Sequence, residues 1–305
     1  MPNVRLVNEL APSVERLMNR HLETTKEWFP HELVPWSKGR DFTEDDPWNP
    51  DDVNLTPGVK SALFVNLLTE DNLPYYFNAL ATTFGEGVWG EWARRWTAEE
   101  HRHSIVIRDY LTVTRLLDPV ALERARMNQV SGGAVPEPVN PTETLVYVTL
   151  QELATRVSHR NTGKLIGDPA GYAIMARVGA DENLHHLFYR DLTADALKID
   201  PSGTMVAIEK QVRSFAMPGL GIDDFDTHAA LIAKAGIYDL PLHYDVVLNP
   251  VLMRQWKVDK IEGLDGAGEE AREKLMKFLG RLKKAAARIT DRRAEVACES
   301  VDGLA

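Results

Sequence analysis

A chain of 305 residues, 44% of them hydrophobic, has the material for a sizeable buried core in one large domain or two. Its net charge of -10 excludes the long-range phosphate attraction that nucleic-acid binders rely on, so no nucleic-acid partner is expected. The lone cysteine, Cys298, excludes an intrachain disulfide and a thiolate metal cage, and it fits a reducing cytoplasm.

The opening MPNVRLVNELAPSVERLMNR carries acidic residues and no apolar run, so no signal or transit peptide is expected. No stretch approaches the roughly 18 apolar residues of a membrane span, which predicts a cytoplasmic protein and not an integral membrane one. Helical periodicity then dominates. Residues 13–30 make a first candidate helix, and the Pro-, Asp- and Gly-rich stretch over 30–58 is too broken for regular structure. Longer helical patterns cover 58–84, 87–117, 141–162, 168–198 and 203–216, separated by GEG, SGGAVPEPVN and DPAG. Shorter helices are expected over 222–260. Residues 267–297 read as a peripheral charged helix whose apolar residues hold one narrow face and whose charges are solvated. Pro74, four residues after Glu70, predicts a kink or a helix end there. The predicted class is all-α: a single helical domain over 1–305, with 58–200 carrying the chemistry.

Four of these helices place acids on apolar stripes. In the second long pattern the steps Trp89, Ala93, Trp96, Glu100, His103, Ile107 and Tyr110 alternate four and three, so Glu100 and His103 point where Trp96 and Ile107 point. Met175, Val178, Glu182, His185, Tyr189 and Leu192 repeat the arrangement. Leu63, Leu67, Glu70 and Phe77 carry a lone acid, as do Leu145, Val148, Glu152 and Thr155. Each lone Glu precedes its paired Glu by thirty residues, an echo of a duplicated helix pair. Glu99, His101 and His186 lie off these lines and read as surface or outer-layer polarity. Four unpaired carboxylates in a bundle core would cost several kcal/mol each, and two divalent cations neutralise them. One Glu from each of two helices plus Glu-x-x-His from each of two others is the donor set known for di-iron and di-manganese carboxylate bundles. Oxygen and imidazole donors favour iron or manganese over structural zinc.

With LLTEDNLPYY, WTAEEHRH, QELATRVSHRNTGK, ADENLHHLFYRDL and RQWKVDKIEGL in this order, the chain from about residue 15 to 265 resembles the soluble acyl-[acyl-carrier-protein] desaturases, in particular their actinobacterial branch. The resemblance implies a homodimeric, ferritin-like four-helix bundle with additional peripheral helices. It implies two iron ions that use dioxygen and two electrons from reduced ferredoxin to desaturate an acyl chain held on acyl carrier protein, a step of fatty acid biosynthesis. It assigns Glu70, Glu100, His103, Glu152, Glu182 and His185 as iron ligands. It further implies Asp181 and Trp48 as a hydrogen-bonded route from His103 to the surface, and Thr155 as a proton relay on the oxygen side. Ala79, Thr82, Thr83, Thr144 and Leu145 would line the acyl tunnel. Several of these are smaller or more polar than in the plastid enzymes, and the segment between Glu70 and Glu100 is shorter, so chain length and double-bond position do not transfer. The carrier is an acidic protein, and Arg94, Arg95, Lys210 and Arg213 are candidate docking cations. The ligand set by itself also admits a related di-iron hydroxylase or oxygenase, or an iron-binding ferroxidase-like protein.

Overall fold

The protein, a computed structural model, is described over residues 2–136 and 138–302, with side chains over 5–136 and 138–295; Cys298 lies outside the latter. Five helices start on one local signal, a capping side chain followed by proline at the first helical position, where its missing N–H costs nothing. Thr56-Pro57 opens one, and Asp118-Pro119, Asn140-Pro141, Asp168-Pro169 and Asp200-Pro201 open the others, each cap accepting a backbone N–H of the first turn.

The helices are α1 (Pro2–Thr24), α2 (Pro30–Leu33), α3 (Pro57–Asp71), α4 (Leu73–Phe84), α5 (Val88–Thr114), α6 (Pro119–Gly132), α7 (Pro141–Leu165), α8 (Pro169–Ile199), α9 (Pro201–Ser214), α10 (Phe225–Lys234), α11 (Leu240–Leu242) and α12 (Gly266–Asp302). There is no strand among the described residues. The 30–58 stretch, expected to be irregular, holds α2 and two 3-10 turns at 36–38 and 50–52, because Pro30 and Pro50 start short helices where they stand. Three further differences from the sequence expectation have local causes. The 13–30 element begins at Pro2 instead, running through Pro12, and ends at Thr24. The 58–84 element is two helices, broken at Asn72, with Pro74 in the first turn of α4 where a proline starts a helix instead of kinking one. α6 had no counterpart because it buries only Leu122 and Gln129 and so carries no apolar stripe. Beyond α11 the backbone winds into π-helical turns over 243–248 and 250–255.

α7 and α8 form the spine. The turn Ile166, Gly167, Asp168 joins them as an antiparallel hairpin, and Gly163 lets them close: a Cβ there would lie 2.8 Å from the Cβ of Met175. Apolar side chains gather in three clusters. One joins α3, α5 and α8 through Leu63, Leu67, Ile107 and Val178. A second joins α1, α4, α5, α7 and α8 through Leu10, Leu80, Trp92, Leu145 and Phe188. The third joins α7, α9, the 243–255 turns and α12 through Leu150, Ile208, Val247 and Leu275. On α5 the Glu100/His103 pair lies between Trp96 of the second cluster and Ile107 of the first, and on α8 Glu182/His185 lies between Val178 and Tyr189. The polar centre therefore occupies the seam between two apolar clusters.

In the third cluster, burial pulls the His243 imidazole down to about 4, and Tyr238 Oη shares a 2.8 Å hydrogen bond with Nδ1 of the neutral ring. The unfolded ring titrates near 6.5, so this stabilisation is complete above that pH and is lost as pH falls toward 4. Taking the pH from 7.5 to 5 is expected to remove about 2 kcal/mol through this group. Urea midpoints at the two pH values check this, since a His243→Phe variant should lose that part of the pH dependence.

Candidate metal centre

Six side chains from four helices converge in the seam, all at most 8% exposed: Glu70 of α3, Glu100 and His103 of α5, Glu152 of α7, Glu182 and His185 of α8. Their atoms form two overlapping groups, Glu70/Glu100/His103/Glu182 and Glu100/Glu152/Glu182/His185, each with one donor atom per residue within 4.8 Å of the rest. Glu100 and Glu182 belong to both groups. His103 Nδ1 lies 3.0 Å from Glu100 Oε2, and His185 Nδ1 lies 2.7 Å from Glu100 Oε1, so both rings turn Nδ1 inward.

The outward nitrogens show a crossed arrangement. His185 Nε2 of α8 lies 2.9 Å from Glu99 of α5, while His103 Nε2 of α5 lies 3.5 Å from Asp181 of α8. Each helix thus supplies the acid that faces the other helix's histidine. An arginine one turn earlier pairs with each acid, Arg95 with Glu99 at 2.5 Å and Arg177 with Asp181. His21 Nε2 of α1 also reaches Glu99, at 2.8 Å. The Trp28 indole donates to Asp181 at 2.8 Å beneath the guanidinium groups of Arg102 and Arg177. Trp48 is corrected by this geometry: its indole donates to the Arg115 carbonyl in a separate surface cleft with Lys38 and Arg40, and Trp28 occupies the expected place beside Asp181.

On the α7 side, Thr155 Oγ1 lies 2.8 Å from Glu182 Oε2 and 3.1 Å from its own helix carbonyls at Gln151 and Glu152. One turn further, buried His159 places Nε2 3.1 Å from Glu70 Oε1. A cavity of about 380 Å³ opens onto this side of the centre, reaching Glu70, Glu100, Glu182 and Thr155. Ala79, Thr82, Thr83 and Thr144 line it, together with Tyr75, Tyr76 and Tyr147. Leu145 does not: one residue on from Thr144 it turns about 100° round the helix and packs at 1% exposure in the second apolar cluster. Gly133, at φ 65°, permits the tight wall here, because a Cβ would fall 2.3 Å from the Tyr75 ring.

Residues 2–302 match the fatty acid desaturase family. The chain belongs to that family. It is 42% identical over 286 residues to acyl-[acyl-carrier-protein] desaturase DesA1 of Mycobacterium tuberculosis, covering 90% of this chain and 84% of the relative. It is 31% identical to chloroplastic stearoyl-[acyl-carrier-protein] 9-desaturase 6 of Arabidopsis thaliana, over 74% of this chain and 62% of that one. The X-ray structure of acyl-ACP desaturase DesA2 from Mycobacterium tuberculosis superposes with a TM-score of 0.72 at 29% identity, covering 88% of this chain and 99% of that one. The all-α, ferritin-like architecture follows, and no helix among the described residues is long and apolar enough to cross a membrane.

The desaturase pays electrostatically for holding four carboxylates together. Burial, with Glu182 alongside, pushes the Glu100 and Glu152 carboxyls upward. Burial also works on Glu70, yet His103 and His159 hold it down at about 2. Both ligand-side imidazoles are desolvated and still raised well above their ordinary value, chiefly by Glu100. Protons thus take up charge that a cation would otherwise balance. Glu100 Oε1 and Glu152 Oε2 face His185 Nδ1 at 2.7 and 3.6 Å without hydrogen-bond geometry, so three donor atoms crowd together with no group of the chain between them. Hard oxygen and imidazole nitrogen turned inward and crowded together, with protons in place of balancing cations, fit a pair of divalent transition-metal ions.

Sequence reasoning set Glu99 aside as outer-layer polarity and passed over His21, Trp28 and His159. A usable signal existed for the acids: Arg95-x-x-x-Glu99-Glu100-x-x-His103 and Arg177-x-x-x-Asp181-Glu182-x-x-His185 share one pattern. The four candidate docking cations are all neutralised locally, Arg94 by Glu86, Arg95 by Glu99, Lys210 by Glu143 and Arg213 by Glu209.

Proposed function

We infer that this desaturase introduces a double bond into an acyl chain carried on acyl carrier protein, as a cytoplasmic homodimer and a single functional domain. It would draw on dioxygen and on two electrons from reduced ferredoxin. The observation that carries this reading is the pair of overlapping donor groups set against a partly apolar cavity that reaches Glu70, Glu100 and Glu182. Glu70, Glu100, His103, Glu152, Glu182 and His185 would hold two iron ions, which supply the oxidising power to remove two hydrogens from adjacent methylenes while dioxygen is reduced to water.

The protein's own contributions are positional. Tyr76, Ala79, Tyr147 and Val148 present an apolar wall that holds a methylene run against the Glu70/Glu182 side and keeps bulk water away. Thr155 can hold a proton at Oγ1 beside Glu182 Oε2, on the cavity side. His159 orients Glu70, whose helix ends one residue later. Glu99 holds the His185 ring by a hydrogen bond to Nε2, and Asp181 faces His103 Nε2 at 3.5 Å as its counter-charge, both with Nδ1 inward.

The test is to incubate iron-loaded protein with ferredoxin, its reductase, dioxygen and acyl carrier proteins bearing different chains, and to weigh the acyl products. Loss of two hydrogens supports the reading, and gain of an oxygen makes the protein a hydroxylase. Unchanged mass with iron bound would overturn it in favour of another substrate or iron handling. If the cavity sets chain length, Ala79→Phe should reduce kcat/KM for the longest accepted chain by about tenfold or more, the scale of lost pocket contacts. Shorter chains and iron content should be little affected.

A further inference from the structure

We propose that the outer face of α12 is the docking surface for acyl carrier protein, which rests on the carrier-bound substrate reading above. The first part of this helix behaves as a solvated helix does: Glu269 pairs with Arg272, Glu270 with Lys274 at 2.7 Å and Glu273 with Lys277 at 3.7 Å. The second part does not. Between 277 and 293 there are seven Lys and Arg residues and one acid, Asp291, in a chain whose net charge is -10, and only Lys277, with Glu273, and Arg293, with Asp239, find a carboxylate.

Their spacing aligns them. Lys277, Arg281, Lys284, Arg288 and Arg292 follow steps of four, three, four and four, and all five are exposed. They make a single stripe about 22 Å long at the helical rise. Arg281, Lys284, Arg288 and Arg292 have no carboxylate within ion-pair distance among the described residues. Arg288 makes only a 3.2 Å bond to the Lys284 carbonyl. Like charges one turn apart weaken a helix. Keeping four in a row, with the opposite face already buried through Leu275, Leu279 and Ala286, points to a partner that supplies the missing negative charge.

The chemistry of that partner can be narrowed. A lipid surface would require bulky apolar side chains on the outward face, whereas Gly280, Ala287, Thr290 and Ala294 are what lies there. The overall negative charge disfavours nucleic acid. An electron donor would face the third apolar cluster between itself and the metal helices. A carrier protein needs only to present its acyl arm, and the segment following α9 joins the two places. Phe215 and Met217 pack against the cluster that contains Leu279 and Ala286, while Pro218 lines the cavity. The carrier is acidic, and the four cations first considered for it are already paired.

The test compares wild type with an Arg281→Glu/Lys284→Glu/Arg288→Glu variant and with the matching Gln variant, which removes charge without reversing it. KM for acyl-carrier protein should rise about tenfold or more in the Glu variant and less in the Gln variant, with its salt dependence reduced in both. kcat at saturation, iron content and KM for reduced ferredoxin should be unchanged. The Gln variant, relieved of like-charge repulsion, should also melt no lower than wild type. An unchanged KM for acyl-carrier protein would overturn the docking surface and leave the proposed function standing. A rise confined to KM for ferredoxin would overturn it as well, by assigning the stripe to the reductant. Failure of wild type to desaturate any carrier-bound chain would instead remove the proposed function and this surface with it.

Discussion

Replacing Glu152 with glutamine is expected to abolish desaturation and yet to stabilise the metal-free protein. Glu152 is fully buried, and burial together with Glu182 and Glu100 already pushes its carboxyl well upward, so without metal it is a poorly compensated acid. Its partners are the Trp96 indole at 3.1 Å and His185 Nδ1 at 3.6 Å. Glutamine keeps an oxygen for Trp96 and is neutral without taking up a proton, and replacing a buried acid by a neutral group of similar size gains about 1 kcal/mol or more. That corresponds to a rise of about 2 °C for a chain of this size. Metal binding reverses the sign, since ions that bind only the folded state stabilise it by mass action. Ferrous iron should therefore raise the melting temperature of wild type while barely moving the variant. Two irons per chain with normal turnover in the variant would remove Glu152 from the ligand set.

The crossed acids give the second large effect. Glu99→Gln and Asp181→Asn should each weaken metal binding about 10- to 100-fold, the usual consequence of losing an acid that orients and polarises a ligating imidazole. The location is the sharper part. Asp181 is on α8 but faces His103 of α5, so its replacement should weaken the group that contains Glu70 and His103 and spare the one that contains Glu152 and His185. Glu99→Gln should do the reverse. A two-step titration against a competing chelator separates the cases. If each variant weakened the group on its own helix, the crossed pairing would be wrong. Asp181 is held down at about 2, His103 being the principal partner that overcomes its burial, so it remains an anion throughout the pH range of such a titration.

The six inward donors were legible because a helix maps spacing in sequence onto direction in space. Once Glu100 and His103 fall on the Trp96–Ile107 stripe, burial follows with no knowledge of neighbours. Five helix starts carried an equally local signal that the periodicity reading did not use, since Thr-Pro, Asp-Pro and Asn-Pro act within one turn, whereas the start of α1 lay eleven residues before the expected one. α6 lacked a stripe and escaped notice, although Asp118-Pro119 marked its start.

Residues that depend on two separate segments meeting were not legible. Trp28 and Trp48 both lie before α3, and nothing in their immediate neighbours distinguishes the indole that reaches Asp181 from the one that caps a surface cleft. His159 sits on the cavity side of α7, and only the packing of α3 beside it turns an unremarked histidine into a partner for Glu70. Leu145 and Thr144 differ by one residue, and the position of α4 decides which of them meets the cavity. The sequence by itself determined the all-α class, the four helices that carry the acids and the inward direction of the six candidate ligands, because these follow from periodicity along single helices. Only the tertiary structure decided which acid serves which histidine and which cations remain unpaired, because both depend on distances between helices that no spacing within one helix encodes.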